Sequence, residues 1–236
     1  MEENKVKELV TDLDKLSEIS DNIDIRKDGN EMRDTILYLK NTMEAKGLLA
    51  LSAPQIGIQK RIFCVKTKNK KNNIYTTFVN PMIKKSTDMT FSREKDECFP
   101  DKEYIYPRSG KIVVNYLDPL GNAKCTNVAG YSAFVFQRMI DHFNGALISD
   151  IGLEIDDKWD KATEEERAEV LKAYMDSLDM VSKKLEEEIS NDENLKNQKK
   201  AIEFEKALIA GEIVTEQREF TEEETKAVKT KYNKEN

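Results

Sequence analysis

The sequence contains a single histidine, His142, among 236 residues. A metallohydrolase helix of the H-E-x-x-H type needs two imidazoles one turn apart to bind the metal, and a glutamate between them to activate water. The stretch around His142 reads Gln137-Arg-Met-Ile-Asp-His-Phe-Asn-Gly145, which has helical spacing but only one imidazole. A metal site of that type is therefore incomplete in this chain.

Long apolar runs are missing as well. The sequence has no stretch of 18 apolar residues, which a membrane-spanning helix needs, and its start lacks the basic-then-apolar order of a signal peptide. Its three cysteines, Cys64, Cys98 and Cys125, are odd in number and widely spaced, unlike a disulfide framework. We therefore expect a cytoplasmic protein without a membrane contact, with Cys64 and Cys125 as core residues.

Proline and glycine are absent from long parts of the chain. All five prolines lie between Pro54 and Pro119, and Gly211 is the only glycine in residues 153–236. Residues 156–236 have a net charge of −8, whereas residues 1–155 have a net charge of +1. Short basic clusters such as residues 66–71 contain no aromatic residues for stacking, so nucleic acid is not an expected partner. We predict a folded domain over residues 1–155 and an acidic, helical extension over residues 156–236.

Apolar periodicity predicts two helices at the start of the chain. Residues 3–17 show a stripe of apolar residues at helical spacing, and residues 30–46 show a second one. In the second helix, Asn30 is the predicted N-cap and Gly47 the predicted end. Strands are predicted over 61–66, 72–80, 110–117 and 123–128, with a loop at 96–100, and a helix over 132–144 precedes Gly145. In the extension, capping patterns predict helices that begin after Thr163, Ser190 and Thr221.

Three motifs occur in a fixed order. They are Gly47-Leu-Leu-Ala-Leu-Ser-Ala-Pro-Gln-Ile-Gly57, then Glu97-Cys-Phe99, then Gln137 to Gly145. In this order the chain resembles peptide deformylases, whose motifs read G-x-G-L-A-A-x-Q, E-G-C-L-S and Q-H-E-x-D-H-L-x-G. The resemblance covers roughly residues 20–155. It implies an α+β fold with mixed or antiparallel sheets around a central helix, followed here by the helical extension.

The resemblance also implies roles for individual residues. In the family a Cys and two His hold iron or zinc, and the motif glutamate handles the proton of the metal-bound water. By position, Cys98 and His142 correspond to two of the ligands. Gln55 and the backbone N–H of Phe99 correspond to the groups that hold the formyl oxygen. Asp141 belongs to the family's pattern and has an expected structural role.

Several departures from the family pattern fall on the chemistry itself. Arg138 stands where the first histidine ligand belongs, and Met139 stands where the catalytic glutamate belongs. Arginine stays protonated and cannot ligate a metal, and methionine can neither accept a proton nor position water. Ala50 and Glu97 replace glycines of the motifs, and Pro100 replaces a serine. We therefore expect no catalytic residue and no metal; if a cofactor binds, it is a divalent iron, nickel or zinc ion.

Several local interpretations stay open at this point. Cys98 and His142 are either a residual metal pair or a buried thiol beside a hydrogen-bonded imidazole. Arg138 is either a built-in cation at the former metal position, paired with Asp96, Glu97 or a Cys98 thiolate, or an exposed arginine of the helix. The stripe from Leu171 to Leu185 packs either on the domain or against a partner. The vestigial cleft would comprise eight residues: Ala50, Gln55, Glu97, Cys98, Phe99, Arg138, Met139 and His142.

Three functional hypotheses follow. The first is a catalytically degenerate deformylase-like protein that acts as a structural or interaction component of a homo- or hetero-oligomeric assembly; a phage or virus particle assembled in the cytoplasm is one concrete version. The second is an active deformylase of formyl-methionyl peptides, with the metal held by Cys98, His142 and a carboxylate such as Glu97 or Asp101. The third is a non-catalytic binder of peptide N-termini that uses the cleft around Gln55 and Phe99.

Overall fold

A computed structural model describes residues 6–68 and 73–188, with side chains described as far as residue 180. The predicted helices after Ser190 and Thr221 lie outside the described residues. The helices are α1 (Leu13–Leu16), α2 (Gly29–Lys46), α3 (Tyr131–Phe143), α4 (Ile148–Ile151), α5 (Asp157–Lys161) and α6 (Glu164–Glu188), with a short 3-10 turn at Pro54–Ile56. The strands are β1 (Ala50–Ser52), β2 (Ile62–Lys68), β3 (Asn73–Asp96), β4 (Phe99–Leu117), β5 (Ala123–Ala129) and β6 (Leu153–Ile155). Within this part of the chain, no helix is long and apolar enough to cross a membrane.

One antiparallel sheet organises the domain. Its strands follow the order β1-β2-β3-β4-β5, and β6 pairs with the far part of β4. Because side chains alternate between the two faces of a strand, neighbouring residues enter different cores. Leu51 and Ile62 pack under α2, while Ala50 and Phe63 pack under α3. Helices α2 and α3 therefore cover opposite faces of the sheet, in agreement with the predicted α+β class.

The second predicted helix is confirmed and the first is wrong. Gly47 ends α2 in the left-handed conformation with φ 69°, which glycine adopts without strain. Its predicted N-cap, Asn30, lies inside the helix and makes no cap. Of residues 6–17, the part of this predicted helix that the structure describes, only Leu13–Leu16 is helical. The backbone N–H groups of Lys7 and Val10 bond instead to the Thr42 hydroxyl and the Gln55 carbonyl, so residues 6–12 lie against α2 and the 3-10 turn without forming a helix.

The hairpin formed by β3 and β4 is much longer than the sequence predicts. The two strands pair from Val79↔Leu117 to Asp96↔Phe99. The predicted loop at 96–100 is therefore a tight turn formed by Glu97 and Cys98 alone. This turn carries the cysteine motif to the end of a continuous β ribbon, next to α3.

Candidate functional site

Helix α3 is locked onto β4 by one glutamine side chain. The Gln137 amide oxygen accepts the Ser109 backbone N–H at 3.0 Å, and its nitrogen donates to the Ser109 carbonyl at 2.9 Å. This reciprocal pair satisfies a backbone group of β4 that faces the helix. It also fixes the rotation of α3, so that Arg138 and His142, one turn apart, point toward the β3–β4 hairpin.

The other end of α3 is fixed by close backbone contact. Gly145 follows the helix with φ 66°, and a Cβ atom there would lie 2.1 Å from the Ser17 carbonyl oxygen. Only glycine fits this approach, and its conformation is the one that glycine favours. The last residue of the third motif therefore has a packing role.

Three acidic side chains from the hairpin converge on the buried face of α3. Glu94 and Asp96 point inward from alternate positions of β3, and Glu97 follows in the turn. The side chains of Glu94 and Asp96 are 1 % exposed, whereas that of Glu97 is 21 % exposed. Burying ionised carboxylates is costly unless they are paired and hydrogen-bonded. The cations and hydrogen-bond donors that contact these three carboxylates therefore determine whether the charge of the site is balanced.

Arg138 is the shared partner of all three carboxylates. Its Nη1 lies 3.4 Å from Oε2 of Glu94, its Nη2 lies 3.3 Å from Oε1 of Glu97, and its Nε lies 3.9 Å from Oδ2 of Asp96. Burial lowers the pKa of Arg138, but the carboxylates outweigh burial and the net shift is upward. Arg138 is thus a buried, permanently charged group, and the alternative of an exposed helix arginine is wrong.

Asp96 contacts three residues at family positions, His142, Cys98 and Gln55. Nε2 of His142 lies 2.9 Å from its Oδ2, and the Cys98 backbone N–H donates to its Oδ1 at 2.8 Å. The Gln55 amide nitrogen lies 3.4 Å from the same Oδ1. Burial acts to raise the pKa of Asp96, but the attraction of His142 and then of Arg138 outweighs it, so the pKa lies well below its ordinary value. Asp96 is therefore an ionised carboxylate at the centre of the site.

The pKa of the Cys98 thiol is shifted upward, whereas that of Asp96 is shifted downward. Burial and then the negative charge of Asp96 raise its pKa well above the ordinary range. Metal ligation and nucleophilic attack both require the thiolate. The predicted alternative of a Cys98 thiolate paired with Arg138 is therefore not supported, and Cys98 is a buried thiol in a small apolar cluster with Leu16 and Leu147.

Gln55 is fully buried and already occupied by neighbours. Its amide oxygen accepts both the Ser52 backbone N–H at 3.0 Å and the Ser52 hydroxyl at 2.9 Å. Its nitrogen faces Asp96 and Glu97, each at 3.4 Å. The amide therefore ties β1 to the hairpin turn.

A second buried arginine completes the network, and the sequence analysis did not single it out. Arg108 donates from Nε to Glu94 at 2.8 Å and also contacts Asp141. Attraction to Asp141 and Glu94 outweighs burial and raises its pKa. A period-two pattern of polar residues, Ser92-x-Glu94-x-Asp96, is the signal that places these side chains on one strand face. The structural role expected for Asp141 is thus a contact with Arg108.

The other predicted positions lie outside this network. Met139 is fully buried in the apolar core with Phe63 and Phe143, and Ala50 packs into the same core. Phe99 packs partly buried between the Cys98 cluster and Tyr104. The predicted placement of Cys64 in the core is confirmed; Cys125 is exposed on the edge strand β5, so its predicted burial is wrong.

The family model described as "Polypeptide deformylase" matches residues 6–156. The chain belongs to the peptide deformylase family. A Pelagibacter ubique peptide deformylase is 34% identical over 127 residues, which are 52% of this chain and 72% of the relative. A probable peptide deformylase from Synechococcus phage S-SSM7 has 27% identity and a TM-score of 0.56, covering 61% of this chain and 97% of that one. The deformylase of Vibrio parahaemolyticus bacteriophage VP16T, solved with actinonin, has 29% identity and a TM-score of 0.53 over 60% and 99% of the two chains.

Peptide deformylases normally use a divalent metal, which requires a set of ligand side chains around one position. Among the described residues, no group of three or more His, Cys, Asp and Glu side chains is arranged to hold a metal ion. His142 directs Nε2 to Asp96, Cys98 packs against Leu16 and Leu147, and the Arg138 cation lies among the carboxylates. The Asp101 side chain, the other carboxylate considered as a ligand, is exposed on β4. The residues present do not fit the family's metal.

Proposed function

We propose that this chain is a catalytically degenerate peptide deformylase-like protein that serves as a structural or interaction component of a larger assembly. The observation that supports it is the contact between His142 and Asp96. The one imidazole available for a metal is bonded to a buried carboxylate, whose charge is in turn balanced by Arg138. A divalent ion would have to displace Asp96 and lie beside a guanidinium that cannot lose its proton.

The loss of the general base supports the same proposal. The family's glutamate position is Met139, which is fully buried among aromatic and aliphatic side chains. A thioether takes up no proton at neutral pH, and no water has access to this apolar position. Deformylation would therefore lack both the metal and the base.

The helical extension supports an interaction role. Residues 157–188 form two helices beyond the family match, and α6 is 25 residues long. Val170 and Met180 on α6 are 45% and 72% exposed. Two of the structural relatives are phage proteins, so we keep a phage or virus particle as one concrete setting for the assembly.

Turnover of a formyl-methionyl peptide tests the catalytic part of the proposal. The protein is produced with iron, nickel or zinc supplied in turn, and the Pelagibacter relative is assayed in parallel as the active control. We expect no turnover by this chain under any of the three metals. Turnover together with about one bound metal ion per chain would overturn the proposal in favour of an altered ligand set. Binding of the peptide without turnover would instead select the peptide-binding hypothesis.

The assembly part is tested by the mass of the protein in extracts of its native source. Size-exclusion chromatography with quantitative mass spectrometry should find the chain co-migrating with other subunits, well above the 27.2 kDa of one copy. A monodisperse free monomer would contradict an assembly role, whatever the outcome of the turnover assay.

A further inference from the structure

The chain beyond α3 returns to the hairpin whose turn carries the cysteine motif. Strand β6 pairs antiparallel with β4 through Leu153↔Ile105, Glu154↔Tyr104 and Ile155↔Glu103. These positions begin four residues after Phe99, the first residue of β4. The segment that starts the extension is thus part of the same sheet as the buried site.

Close packing reinforces this pairing. A Cβ on Gly152 would lie 2.3 Å from the Ile148 carbonyl oxygen and 3.1 Å from the ring of Tyr104, so the backbone lies directly against the tyrosine. Tyr104 forms a small buried cluster with Tyr106 and Ile148, against which Phe99 and Ile151 pack. Phe99 also packs against the cluster that contains Cys98. An unbroken series of apolar contacts therefore leads from α4 to the turn.

Ion pairs connect the same two parts of the molecule. Arg93, next to Glu94 in sequence, reaches Oε2 of Glu103 at 2.6 Å and Oδ2 of Asp160 on α5 at 3.1 Å. Lys102 lies 2.8 Å from Glu154 on β6. Exposed pairs of this kind each contribute little, but they fix the pairing register of strands that also share apolar contacts.

Helix α6 is hydrogen-bonded to the helices α4 and α5 that precede it. The Tyr174 hydroxyl donates to the Ile151 carbonyl, and Tyr174 is 8 % exposed. Arg167 donates from Nε to the Trp159 carbonyl at 2.9 Å and from Nη2 to the Asp160 carbonyl at 3.0 Å. The first half of α6 is therefore anchored to α4 and α5, which carry the groups that contact the hairpin.

We infer that residues 153–174 form a hairpin clamp that holds the Glu97–Cys98 turn closed over the buried Arg138 network. Opening the clamp removes β6 from β4 and frees the end of the ribbon, which admits water to Asp96 and Cys98. The clamp therefore couples the position of α6 to the exposure of the site. This inference concerns conformational coupling, and it holds whether or not the site has any activity.

The three cysteines provide the test, since they report on three parts of the molecule. Cys125 is exposed, Cys64 is buried in the core under α2, and Cys98 lies in the clamped turn. The full-length protein is labelled with iodoacetamide under native conditions, and the rate at each cysteine is measured by peptide mass spectrometry. In Tyr174→Ala we expect Cys98 to label at least about tenfold faster, as local opening becomes easier, with Cys64 unchanged.

Matched variants make the result decisive. Met180→Ala, at an exposed position of the same helix, should leave all three rates unchanged. Arg93→Gln, which removes both ion pairs without touching the core, should accelerate Cys98 by a smaller factor of about two to five. The inference is overturned if Cys98 is unaffected in both Tyr174→Ala and Arg93→Gln, or if Cys98 and Cys64 accelerate by the same factor, which would indicate global unfolding.

Discussion

Asp96 and His142 are joined by a 2.9 Å contact between Oδ2 and Nε2, with both side chains at most 2 % exposed. In a deformylase the corresponding imidazole is available to a metal, whereas here it faces an anion on the hairpin. A buried, ionised carboxylate needs a compensating positive charge, and Arg138, one helical turn from His142, supplies it. Arg138 and Glu97, two departures from the family motifs, are therefore partners in one network with Asp96.

The first prediction concerns the charge balance of this network. Arg138→Met should destabilise the protein by about 3–5 kcal/mol, because it leaves Glu94 and Asp96 buried without their shared cation. Urea unfolding monitored by circular dichroism measures the change. Lys172→Met, at an exposed position of α6, is the control and should change the free energy of unfolding by less than about 0.5 kcal/mol. A similar small value for Arg138→Met would show that the network does not depend on the arginine.

The second prediction is a pH dependence. The folded-state pKa of Asp96 lies below its unfolded value of about 3.9. Its stabilisation is therefore fully present above that unfolded value and is lost as the pH falls toward the folded value. Asp96→Asn should be less stable than wild type at pH 7, and the difference should narrow as the pH falls below about 4.

Urea unfolding at a series of pH values from neutral to acid checks this, with Asp101→Asn as the exposed control. Equal differences between wild type and Asp96→Asn at every pH would contradict a depressed pKa for Asp96.

The third prediction separates Met139 from the chemistry of its family position. Met139→Glu should destabilise the protein by several kcal/mol, since an unpaired carboxylate would enter the core around Phe63 and Phe143. Met139→Leu, which conserves the apolar character and approximate volume, should cost less than about 1.5 kcal/mol. Thermal unfolding of the two variants compares them directly. A stable Met139→Glu protein would indicate that this position faces a hydrated cleft.

The fourth prediction concerns the reversal of one departure. Arg138→His removes the cation from the carboxylate cluster and adds an imidazole one turn from His142. We expect this variant to bind zinc more tightly than wild type but to show no turnover, because position 139 still lacks a base. Isothermal titration with Arg138→Gln as the control distinguishes the new ligand from simple removal of the charge. Equal zinc affinity of the two variants would show that Cys98 and His142 can no longer adopt ligand geometry.

The sequence predicted the parts of the fold that local signals determine. Helix α2 ends at Gly47, and residues 118–122, between the predicted strands 110–117 and 123–128, form the turn from β4 to β5, since glycine and the aspartate-proline pair act over a few residues. Residues 3–17 have a helical apolar stripe, but tertiary contacts of Lys7 and Val10 to Thr42 and Gln55 take the place of helix over residues 6–12. The length of the β3–β4 hairpin depends on pairing between distant residues, which no local signal carries.

In the candidate site, too, local motifs identified some residues, whereas those that depend on long-range strand pairing were missed. The motifs located Gln55, Cys98, Arg138 and His142, and they named Asp96 and Glu97 as partners of Arg138. They did not identify Glu94 or Arg108, because neither residue lies in one of the motifs or in a predicted strand. With the strand known, alternation places Ser92, Glu94 and Asp96 on one face. The missing information was thus the extent of β3, from which the buried network follows.

Metal binding by the unmodified site tests the central claim most directly. A Cys125→Ser background removes the exposed thiol, and the protein is dialysed at equilibrium against zinc, nickel or ferrous iron before metal analysis. A site closed by Asp96 and Arg138 predicts far less than one bound ion per chain for each metal, and no change in the labelling rate of Cys98. Stoichiometric binding of about one ion per chain that protects Cys98 from labelling would contradict it.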